Sequence, residues 1–544
     1  MSQAGPLPVH LQRSPAGERV TTCVLDIRDL VVAAGGKSIV DHVSVRLAAG
    51  EVVGLIGESG AGKSTLGLAA LGYLRPGCEH AGGTVELAGQ DVLRLAPESL
   101  RRLRRTHIAY VAQSAAASFN PAFRIADQVL EVPHLTGRIP AHDDALARDL
   151  FERLELPDPA TFGTRYPHQV SGGQLQRAMV AMALASAPQV IVFDEPTTAL
   201  DVTTQIEVLR VIRDAIRSRG LAALYISHDL AVVSQLADRI IVLRDGVLVE
   251  QGETADIVSA PQTVYARSLI GLRREAAVAG AAQAFAPVLE IEALSAGYRH
   301  GPDVVRNVSL TLGAGRVLAV VGQSGSGKST LARAVMGLLP ARAGSVRFAG
   351  GVLPALEGRT RDQRRRLQLV QQSPDVALNP HQSVRETIGR PIQLFFGCDA
   401  AETERRVRAL LAATELPDGL IDRMPVSLSG GQKQRVCIAR ALAAEPDILV
   451  CDEITSALDL LVEDAIIGLL KQLQTQRSLA IIFITHNLWL ARRFAHDVAV
   501  MHAGCVVELG LSGDVLVRPA HAYTRTLLAA VPTLEPGWLD RQTA

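Results

Sequence analysis

One stretch of nine residues constrains the fold of this chain more than any other. Residues 57–65 read Gly-Glu-Ser-Gly-Ala-Gly-Lys-Ser-Thr, which fits the phosphate-cradling pattern G-x-x-x-x-G-K-[ST]. The apolar run at 52–56 predicts a buried strand before it, and residues 63–74 predict a helix after it. Glycines permit the tight turn that aims backbone N–H groups at an anion, and the helix adds its positive end. The stretch therefore predicts a phosphate site in an α/β fold.

The same pattern occurs a second time at residues 322–330, so that Lys328 follows Lys63 by 265 residues (328 − 63). Other features recur 258 residues apart (429 − 171), and they are Ser171-Gly172-Gly173-Gln174 with Ser429-Gly430-Gly431-Gln432, Asp194-Glu195 with Asp452-Glu453, and His228 with His486. A repeat of this length indicates a duplicated domain rather than a solenoid unit. The offset falls from 265 at the phosphate loops to 258 at the later motifs, which predicts extra residues between these motifs in surface loops of the first copy.

The repeat predicts the organisation of the chain. We expect a flexible tail at 1–22, a first domain at 23–270, a linker at 271–287, a second domain at 288–531 and a polar tail at 532–544. Composition does not decide whether the Ala-rich linker is a short helix or a flexible spacer. Short strands, a helical middle section and then alternating strands and helices predict a mostly parallel sheet with covered faces in each copy.

Composition excludes several classes of protein. The chain carries 55 basic and 55 acidic residues, so it offers no net field to nucleic acid or to an anionic membrane. No apolar stretch predicts a transmembrane helix, the N-terminus has no secretory pattern, and the scattered cysteines fit a reduced cytosolic protein. The basic clusters at 101–105 and 364–366 could bind nucleic acid, but solvated helix faces are favoured because no aromatic residues interleave them.

Acidic pairs follow an apolar strand in both copies. Asp194 and Glu195 come after the run at 190–193, and Asp452 and Glu453 come after the run at 448–451. The carboxyl ends of strands are where open α/β sheets bind ligands. The first acid of each pair suits Mg²⁺, and the second suits polarising an attacking water.

The stretches at 170–177 and 428–435, with Ser-Gly-Gly-Gln at their centre, resemble the signature sequence of the ATP-binding-cassette (ABC) ATPases. A serine and two glycines opening a helix form a second anion site. The resemblance spans nearly all of the chain after residue 22. It implies an α/β fold of two tandem P-loop NTPase domains of the ABC type, each with a mostly parallel sheet core, an antiparallel β section and a helical subdomain.

The resemblance also implies ATP and Mg²⁺ as cofactors and two composite sites. In this family the signature of one domain grips the γ-phosphate bound by the other, which would pair Lys63 with Ser429 and Lys328 with Ser171. Gln113 and Gln372 resemble the Q-loop glutamine, although the adjacent Gln371 leaves the register of the second copy open. The stretches Ala199-Leu200-Asp201 and Ala457-Leu458-Asp459 resemble the D-loop, and His228 and His486 resemble the switch histidine.

These motifs supply the candidate site residues. The candidate catalytic residues are Glu195, Glu453, His228 and His486. The candidate Mg²⁺ residues are Ser64, Gln113, Asp194, Ser329, Gln372 and Asp452. The candidate ATP-binding residues are Gly57, Ser59, Gly60, Gly62, Lys63, Ser64, Thr65, Gln113, Ser171, Gly172, Gly173, Gln174, Asp201, Tyr298, Gly322, Ser324, Gly325, Gly327, Lys328, Ser329, Thr330, Gln372, Ser429, Gly430, Gly431, Gln432 and Asp459.

Finer details resemble the importers of dipeptides, oligopeptides and nickel. They are Ser118-Phe119-Asn120-Pro121, Ala377-Leu378-Asn379-Pro380, and the stretches at 265–269 and 521–528. This resemblance implies an ATPase at the cytoplasmic face of the cell membrane, partnered by two membrane-spanning permease subunits and an extracytoplasmic substrate-binding protein. No cysteine follows Cys505, so the iron–sulfur cluster of some relatives is not expected. The cargo stays open among dipeptides, oligopeptides, glutathione, peptide antibiotics, nickel and other small solutes.

A soluble tandem ABC ATPase acting in translation or DNA repair is the alternative. The translation type usually has a long charged linker, whereas the linker here has 17 residues and is rich in Ala. The repair type carries zinc-binding cysteine clusters, and this sequence has no C-x-x-C motif. Exporters of the family usually fuse a membrane domain to the ATPase. We therefore expect an importer subunit and no nucleic-acid partner.

The two copies differ where the family stacks an aromatic side chain on adenine. Tyr298 lies 24 residues before Gly322 (322 − 298) in the second copy. Aligning the first strands of the copies places Ala34 at the equivalent position, and no aromatic residue occurs between Leu25 and Gly57. We therefore expect the site built on Lys63 to hold adenine more loosely, unless another side chain covers the base there.

Overall fold

The computed structural model describes residues 22–140, 144–197, 200–274, 285–299, 301–455 and 458–542. Three sequence-based expectations fall wholly or partly outside these residues: the N-terminal tail up to residue 21, the linker residues 275–284, and Ala199 and Ala457 of the D-loops. The domain boundaries expected above therefore stay predictions.

Ten strands of the first half form two sheets. Their bounds are β1 Cys23–Ala34, β2 Lys37–Ala48, β3 Val52–Gly57, β4 Cys78–Leu87, β5 Gln90–Asp91, β6 Ile108–Val111, β7 Val190–Asp194, β8 Ala222–Ile226, β9 Arg239–Arg244 and β10 Val247–Glu253. An antiparallel sheet has the order β2-β1-β4-β5, and a larger sheet has the order β10-β9-β3-β8-β7-β6. Only the β9–β10 pairing in the larger sheet is antiparallel. Strands β3, β7 and β8 are buried along their whole length, as apolar runs in a parallel sheet require.

Helices of the first half cover the larger sheet and form the middle section. Their bounds are α1 Lys63–Ala70, α2 Pro97–Thr106, α3 Ala115–Ser118, α4 Ile125–Val129, α5 Glu131–Leu135, α6 Ala145–Arg153, α7 Pro159–Phe162, α8 Gly172–Ala185, α9 Val202–Arg219, α10 Leu230–Leu236, α11 Thr254–Ser259 and α12 Val264–Arg274. Helix α9 begins where the Asp201 side chain accepts from the Thr204 N–H, and it ends at Gly220 with φ of 61°. Both ends follow the usual capping chemistry, an acid at the start and a left-handed glycine at the end.

The second half repeats this architecture. Its strands are β11 Pro287–Ala296, β12 Val305–Gly313, β13 Val317–Val321, β14 Ala341–Phe348, β15 Gly351–Val352, β16 Leu367–Val370, β17 Ile448–Asp452, β18 Ala480–Ile484, β19 Asp497–His502 and β20 Cys505–Leu511. Its helices are α13 Lys328–Val335, α14 Arg361–Arg366, α15 Pro374–Ala377, α16 Val384–Phe396, α17 Ala400–Ala413, α18 Gly430–Leu442, α19 Leu460–Arg477, α20 Leu488–Phe494, α21 Ser512–Val515, α22 Ala522–Ala529 and α23 Trp538–Arg541. The sheet orders β12-β11-β14-β15 and β16-β17-β18-β13-β19-β20 match those of the first half.

The apolar core shows how the halves are joined. One buried cluster in each half lies between its antiparallel sheet and its larger sheet. A third buried cluster lies on the other face of each larger sheet, among the helices that cover that face. It is continuous between the halves, since Leu209 of the first half and Leu470 of the second both belong to it. The halves therefore share apolar burial, which is the main favourable contribution to such contacts.

Two sequence-based expectations need correction. The helix after the first phosphate loop ends at Ala70 rather than at residue 74, because Gly72 takes a left-handed φ of 67° and the chain turns there. The expected polar tail at 532–544 has two buried apolar side chains: Trp538 is 6% exposed and Leu539 is 1% exposed. The Leu539 N–H donates to Gln235 Oε1 at 3.2 Å, which attaches the end of the chain to the first half.

Candidate nucleotide-binding sites

The first phosphate loop joins β3 to α1 at the carboxyl edge of the larger sheet. Two of its glycines are required by space as well as by conformation. A Cβ on Gly57, whose φ is 150°, would lie 2.1 Å from the carbonyl oxygen of Leu243. A Cβ on Gly62, whose φ is 92°, would lie 2.5 Å from the carbonyl oxygen of Ile39. The loop therefore has the close-packed backbone that a phosphate cradle needs.

Lys63 lies inside this loop and is only 5% exposed. Its Nζ donates to the carbonyl oxygens of Gly57 at 2.8 Å and Glu58 at 2.7 Å. Burial lowers the pKa of Lys63, and the carboxylates of Glu195 and Asp459 oppose that shift. A cation held at the mouth of an anion cradle is positioned to contact phosphate oxygens.

The second phosphate loop has the same geometry. Lys328 Nζ donates to the carbonyl oxygens of Gly322 and Gln323, both at 2.9 Å, and burial likewise lowers the pKa of Lys328. A tyrosine hydroxyl supports each loop, because Tyr265 accepts from the Glu58 N–H at 3.1 Å and Tyr523 accepts from the Gln323 N–H at 3.2 Å. Sequence analysis linked the stretches around these tyrosines to a subfamily but did not predict their contact with the loops.

The first acid of each pair contacts the loop serine. Ser64 Oγ donates to Asp194 Oδ1 at 2.9 Å, and Ser329 Oγ donates to Asp452 Oδ1 at 3.0 Å. In the first half the Tyr110 hydroxyl also donates to Asp194 Oδ2 at 2.5 Å. Burial is the main cause that raises the pKa of Tyr110, and this hydrogen bond raises it further. Sequence analysis missed Tyr110, since a tyrosine in an apolar strand carries no motif.

The second acid of each pair contacts the predicted glutamine and histidine of its own half. In the first half Gln113 Nε2 donates to Glu195 Oε2 at 3.1 Å, and His228 Nδ1 lies 3.4 Å from the same oxygen. Burial by itself lowers the pKa of His228, but the hydrogen bond to Glu195 and the charges of Glu195 and Asp229 together outweigh burial, so the pKa is raised. The backbone of Glu195 has a φ of 49°, a strained value for a non-glycine residue that is typical of functional positions.

The second half reproduces this triad. Gln372 Nε2 donates to Glu453 Oε2 at 2.8 Å, and His486 Nδ1 lies 3.7 Å from Glu453 Oε1. Glu453 also has a left-handed φ, of 48°. Gln372, two residues after β16, is thus placed as Gln113 is placed two residues after β6, which answers the register question that the adjacent Gln371 raised.

The signature stretches open α8 and α18. Ser171 Oγ accepts from the Gln174 N–H at 3.3 Å while Gln174 Oε1 accepts from the Ser171 N–H at 3.0 Å, and Ser429 with Gln432 repeats both bonds at the same distances. A Cβ on Gly173 would lie 2.3 Å from the Thr204 methyl carbon, so glycine is needed where α8 packs on α9. Both serines are exposed and open to a partner.

Contacts between the halves bring each phosphate loop to the opposite D-loop. The Ser59 N–H of the first loop donates to Asp459 Oδ2 of the second half at 3.3 Å. Gln323 of the second loop donates to Thr203 Oγ1 at 2.6 Å, and Thr203 donates to Asp201 Oδ1 at 2.7 Å. The two halves are therefore related head to tail around their D-loops.

A cavity of about 820 Å³ runs between the halves at these loops. Its lining residues include Ser59, Gly60, Gly62, Lys63, Ser64, Thr65, Gln113, Glu195, Asp201 and His228 from the first half, with Ser324, Gln372, Glu453, Asp459 and His486 from the second. The signature serines are not among the described residues that line it. The expected pairs of Lys63 with Ser429 and of Lys328 with Ser171 therefore stay predictions.

The residues present fit ATP and Mg²⁺. Gly57 and Gly62 pack so closely on carbonyl oxygens that a side chain at either position would displace the loop, and the buried lysine supplies the charge for a polyphosphate. Ser64 and Asp194 offer only oxygen donors, which is the chemistry that Mg²⁺ prefers. Among the described residues no group of three or more His, Cys, Asp and Glu side chains could hold a metal ion. The expectation that no iron–sulfur cluster is present remains a prediction.

The fold and these loops define a tandem P-loop nucleotide-binding protein. The sequence matches the ABC transporter family over residues 40–198 and 305–456. Residues 507–544 match a second family, described as the oligopeptide/dipeptide transporter C-terminal region. The chain belongs to the ABC transporter family and is an ATPase coupled to transport. In the parts of the chain that the structure covers, no helix is both long enough and apolar enough to cross a bilayer.

Similar proteins agree with this assignment, and a solved structure is similar to part of the chain. The glutathione import ATP-binding protein GsiA of Salmonella choleraesuis (strain SC-B67) is 35% identical, over 94% of this chain and 91% of that protein. GsiA of Escherichia coli (strain K12) is 35% identical over 91% of this chain and 87% of that protein. Among solved structures, cbiO1 of Clostridium perfringens, part of an ABC transporter complex, is 29% identical over 43% of this chain and 91% of that chain, with a TM-score of 0.40.

The strands and helices described above confirm the predicted fold class. The family matches and the GsiA relatives confirm the predicted family and the ATPase activity. They also confirm that the chain is of the peptide-importer type and give no support to the alternative of a soluble ATPase in translation or DNA repair. The roles of the individual site residues stay predictions.

Proposed function

We propose that this chain energises the import of short peptides through a separate membrane permease. The match of residues 507–544 to the oligopeptide/dipeptide transporter C-terminal region carries the proposal. The relatives named for glutathione import support the same class, because glutathione is itself a tripeptide. The proposed cargo is therefore a dipeptide, an oligopeptide or a glutathione-like peptide.

The proposed partners are two membrane-spanning permease subunits and a substrate-binding protein on the other side of the membrane, with this chain at the cytoplasmic face. Exposed apolar side chains that follow the Q-loop glutamines in sequence support a docking surface for the permease. Phe123, ten residues after Gln113 (123 − 113), is 55% exposed, and Val376, four residues after Gln372 (376 − 372), is 82% exposed.

In the proposed reaction, water attacks the γ-phosphorus of ATP, a new P–O bond forms, and the bond to the β,γ-bridging oxygen breaks to release ADP. Glu195 or Glu453 orients the water and accepts its proton, and His228 or His486 holds that carboxylate in position. Lys63 or Lys328 contacts the β- and γ-phosphates. Mg²⁺, when bound, neutralises phosphate charge, and Ser64 with Asp194, or Ser329 with Asp452, would hold it near Gln113 or Gln372.

Each proposed site takes its phosphate loop from one half and its signature from the other, Lys63 with Ser429 and Lys328 with Ser171. The contacts of each phosphate loop with the opposite D-loop support this arrangement. Separated halves should then hydrolyse ATP slowly, and mixing them should restore turnover in proportion to their association. The measurement is ATP turnover by residues 1–274, by residues 285–544, and by the mixture. Turnover by either half alone at the rate of the full-length chain would contradict composite sites.

The proposed cargo is tested by uptake in cells that lack this chain. Wild-type protein should restore uptake of radiolabelled dipeptides or glutathione, whereas the Glu195→Gln/Glu453→Gln variant should not. Purification of this variant from native membranes should recover two membrane proteins with it. If adding the wild-type protein leaves the uptake of every tested peptide unchanged, the proposed cargo is overturned. Co-purification with ribosomes or DNA in place of membrane proteins would overturn the proposed partners.

A further inference from the structure

A small cavity of about 100 Å³ lies where the switch-histidine loops and D-loops of the two halves meet. Residues at equivalent places in the two copies line it in pairs. These pairs, each 258 residues apart, are Thr197 with Thr455, Gln205 with Glu463, His228 with His486, Asp229 with Asn487, and Arg273 with Val531. The cavity therefore surrounds the approximate two-fold axis of the molecule.

Charge breaks the symmetry of this cavity. One set of three positions holds Asp229, Arg273 and Glu463, and the equivalent set holds Asn487, Val531 and Gln205. The first set can carry three charges and the second carries none. Equivalent backbone positions therefore place an ionic cluster beside one switch histidine only.

Arg273 is the residue that crosses between the halves. It lies in α12 of the first half, and that helix packs against α19 of the second half, which carries Glu463. Its guanidinium NH2 pairs with Asp229 Oδ1 at 2.9 Å, and its side chain is 10% exposed. Its guanidinium carbon also lies 5.1 Å from the ring centroid of Trp489 in α20 of the second half. One side chain thus contacts the residue after His228 and a helix of the opposite half.

Asp229 transmits this contact to the switch loop. Its side chain caps α10 by accepting from the Ala231 N–H at 3.0 Å, and its own N–H donates to Ser227 Oγ at 3.0 Å. The loop that carries His228 is therefore held between Ser227 and the cap of α10. On the other side of the axis the Asn487 side chain caps α20 by accepting from the Leu490 N–H at 3.1 Å, but the side chain at the position equivalent to Arg273 is Val531.

Glu463 completes the cluster from the second half. It lies in the first turn of α19, four residues after the cap residue Asp459 (463 − 459), whose side chain accepts from the Ser59 N–H of the first phosphate loop. Burial raises the pKa of Glu463, and the charge of Arg273 opposes that shift. The same helix therefore contacts the Lys63 site through Asp459 and the Arg273 cluster through Glu463.

We propose that Arg273, with Asp229 and Glu463, is a positioning cluster that ties the His228 loop to the second half, so that the site built on Lys63 is coupled to closure of the two halves more tightly than the site built on Lys328. Arg273 touches neither nucleotide nor metal in this proposal. It acts by fixing the loop that holds His228 against Glu195.

The test replaces the cluster with the uncharged set that the chain already uses on the other side. The triple variant Asp229→Asn, Arg273→Val, Glu463→Gln leaves no buried charge unpaired, which avoids the large penalty of a single truncation. Turnover is measured in the Glu453→Gln background, where the Lys63 site acts, and in the Glu195→Gln background, where the Lys328 site acts. This design rests on the catalytic roles proposed above for the two glutamates.

We expect turnover at the Lys63 site to fall about tenfold and turnover at the Lys328 site to change less than about twofold, the range expected when contacting groups in one network are uncoupled. Arg273→Lys, which keeps the charge, should retain part of the activity. Equal losses in both backgrounds, or no loss in either, would overturn the proposal.

Arg493→Gln is the matched control. Arg493 also stacks on Trp489, at 5.4 Å, but its ion pair with Asp464 lies within the second half. Loss of that stacking should not lower turnover at the Lys63 site selectively. If Arg493→Gln lowers Lys63-site turnover as much as the triple variant does, the effect is general packing and the proposal fails.

A second readout does not depend on the proposed glutamates. The chain has two tryptophans, so Trp538→Phe leaves Trp489 as the one indole reporter. Adding ATP to the Trp538→Phe protein should shift the emission of Trp489 if the Arg273 contact responds to closure. The triple variant, made in the same Trp538→Phe background, should lose that shift. An identical shift in both proteins would overturn the proposal even if the roles of Glu195 and Glu453 hold. Full turnover in the glutamine backgrounds would instead contradict those roles.

Discussion

The two halves have nearly the same backbone and phosphate-facing groups, yet they differ in the shell around those groups. The lysine, serine and acid contacts of the two sites agree closely, as in the 2.9 Å and 3.0 Å serine–aspartate bonds. By contrast, Tyr110, which contacts Asp194, has Leu369 at the equivalent strand position in the second half. The chemistry is thus duplicated, while the residues that tune and connect the two sites are not.

The largest effect should come from removing both water-orienting acids. Glu195→Gln combined with Glu453→Gln should lower turnover by about 10²–10⁴-fold, the range of general acid–base contributions, because the amide cannot accept the proton. ATP affinity should stay close to that of the wild type, since the loop lysines and serines are unchanged. The measurement is steady-state turnover beside nucleotide affinity.

The single variants sharpen the comparison between halves. If the sites are equivalent, Glu195→Gln and Glu453→Gln should lower turnover equally, whereas unequal losses would show which site carries more of the turnover. Near-normal turnover by the double variant would remove both glutamates from the chemistry.

The next effect concerns the C-terminal segment, which follows the second half in sequence but contacts side chains of the first half. Gln235 Nε2 donates to the carbonyl oxygens of Thr533 and Glu535 at 2.7 Å and 3.0 Å, and Arg213 pairs with Asp540 at 2.7 Å. Leu539→Ala should destabilise this attachment by about 2–3 kcal/mol, the lower part of the range for buried leucines. The readout is thermal unfolding followed by Trp538 fluorescence in a Trp489→Phe background.

Leu509→Ala is the control for that variant, because Leu509 is 49% exposed and its loss should change stability little. Equal shifts of the unfolding temperature in the Leu539→Ala and Leu509→Ala variants would mean that the C-terminal attachment contributes nothing to the stability of the first half.

Sequence reasoning predicted the fold class and the loops that meet in the structure, because both depend on local patterns. Apolar strands, a glycine loop and capped helices follow from short-range spacing, so the strands β3 and β7 were predicted within one residue. Long-range side-chain contacts have no such pattern. The bond from Tyr110 to Asp194 joins residues 84 positions apart, and the Arg213–Asp540 pair joins residues 327 positions apart. Only the folded chain places such groups together.

The smallest effect concerns adenine, where the halves differ most plainly in sequence. Tyr298 is 44% exposed, and its hydroxyl accepts from Arg333 of α13 at 2.8 Å, which places it beside the second phosphate-loop helix. Ala34 ends β1 in the first half. Arg75 lines the cavity next to Lys63 there, whereas Pro340 is the equivalent residue of the second half. Because guanidinium groups also stack on bases, Arg75 is the side chain that could replace the missing aromatic ring.

Three variants decide between these possibilities. Base stacking is worth roughly 1–3 kcal/mol in strand-binding proteins, so a change of about tenfold in affinity is expected where stacking is lost or gained. If the first site lacks a stacking group, Ala34→Tyr should tighten ATP binding and Arg75→Ala should change it little. If Arg75 covers the base, Arg75→Ala should weaken binding at the Lys63 site as Tyr298→Ala weakens it at the Lys328 site. Affinity that is unchanged in all three variants would mean that neither position contacts adenine.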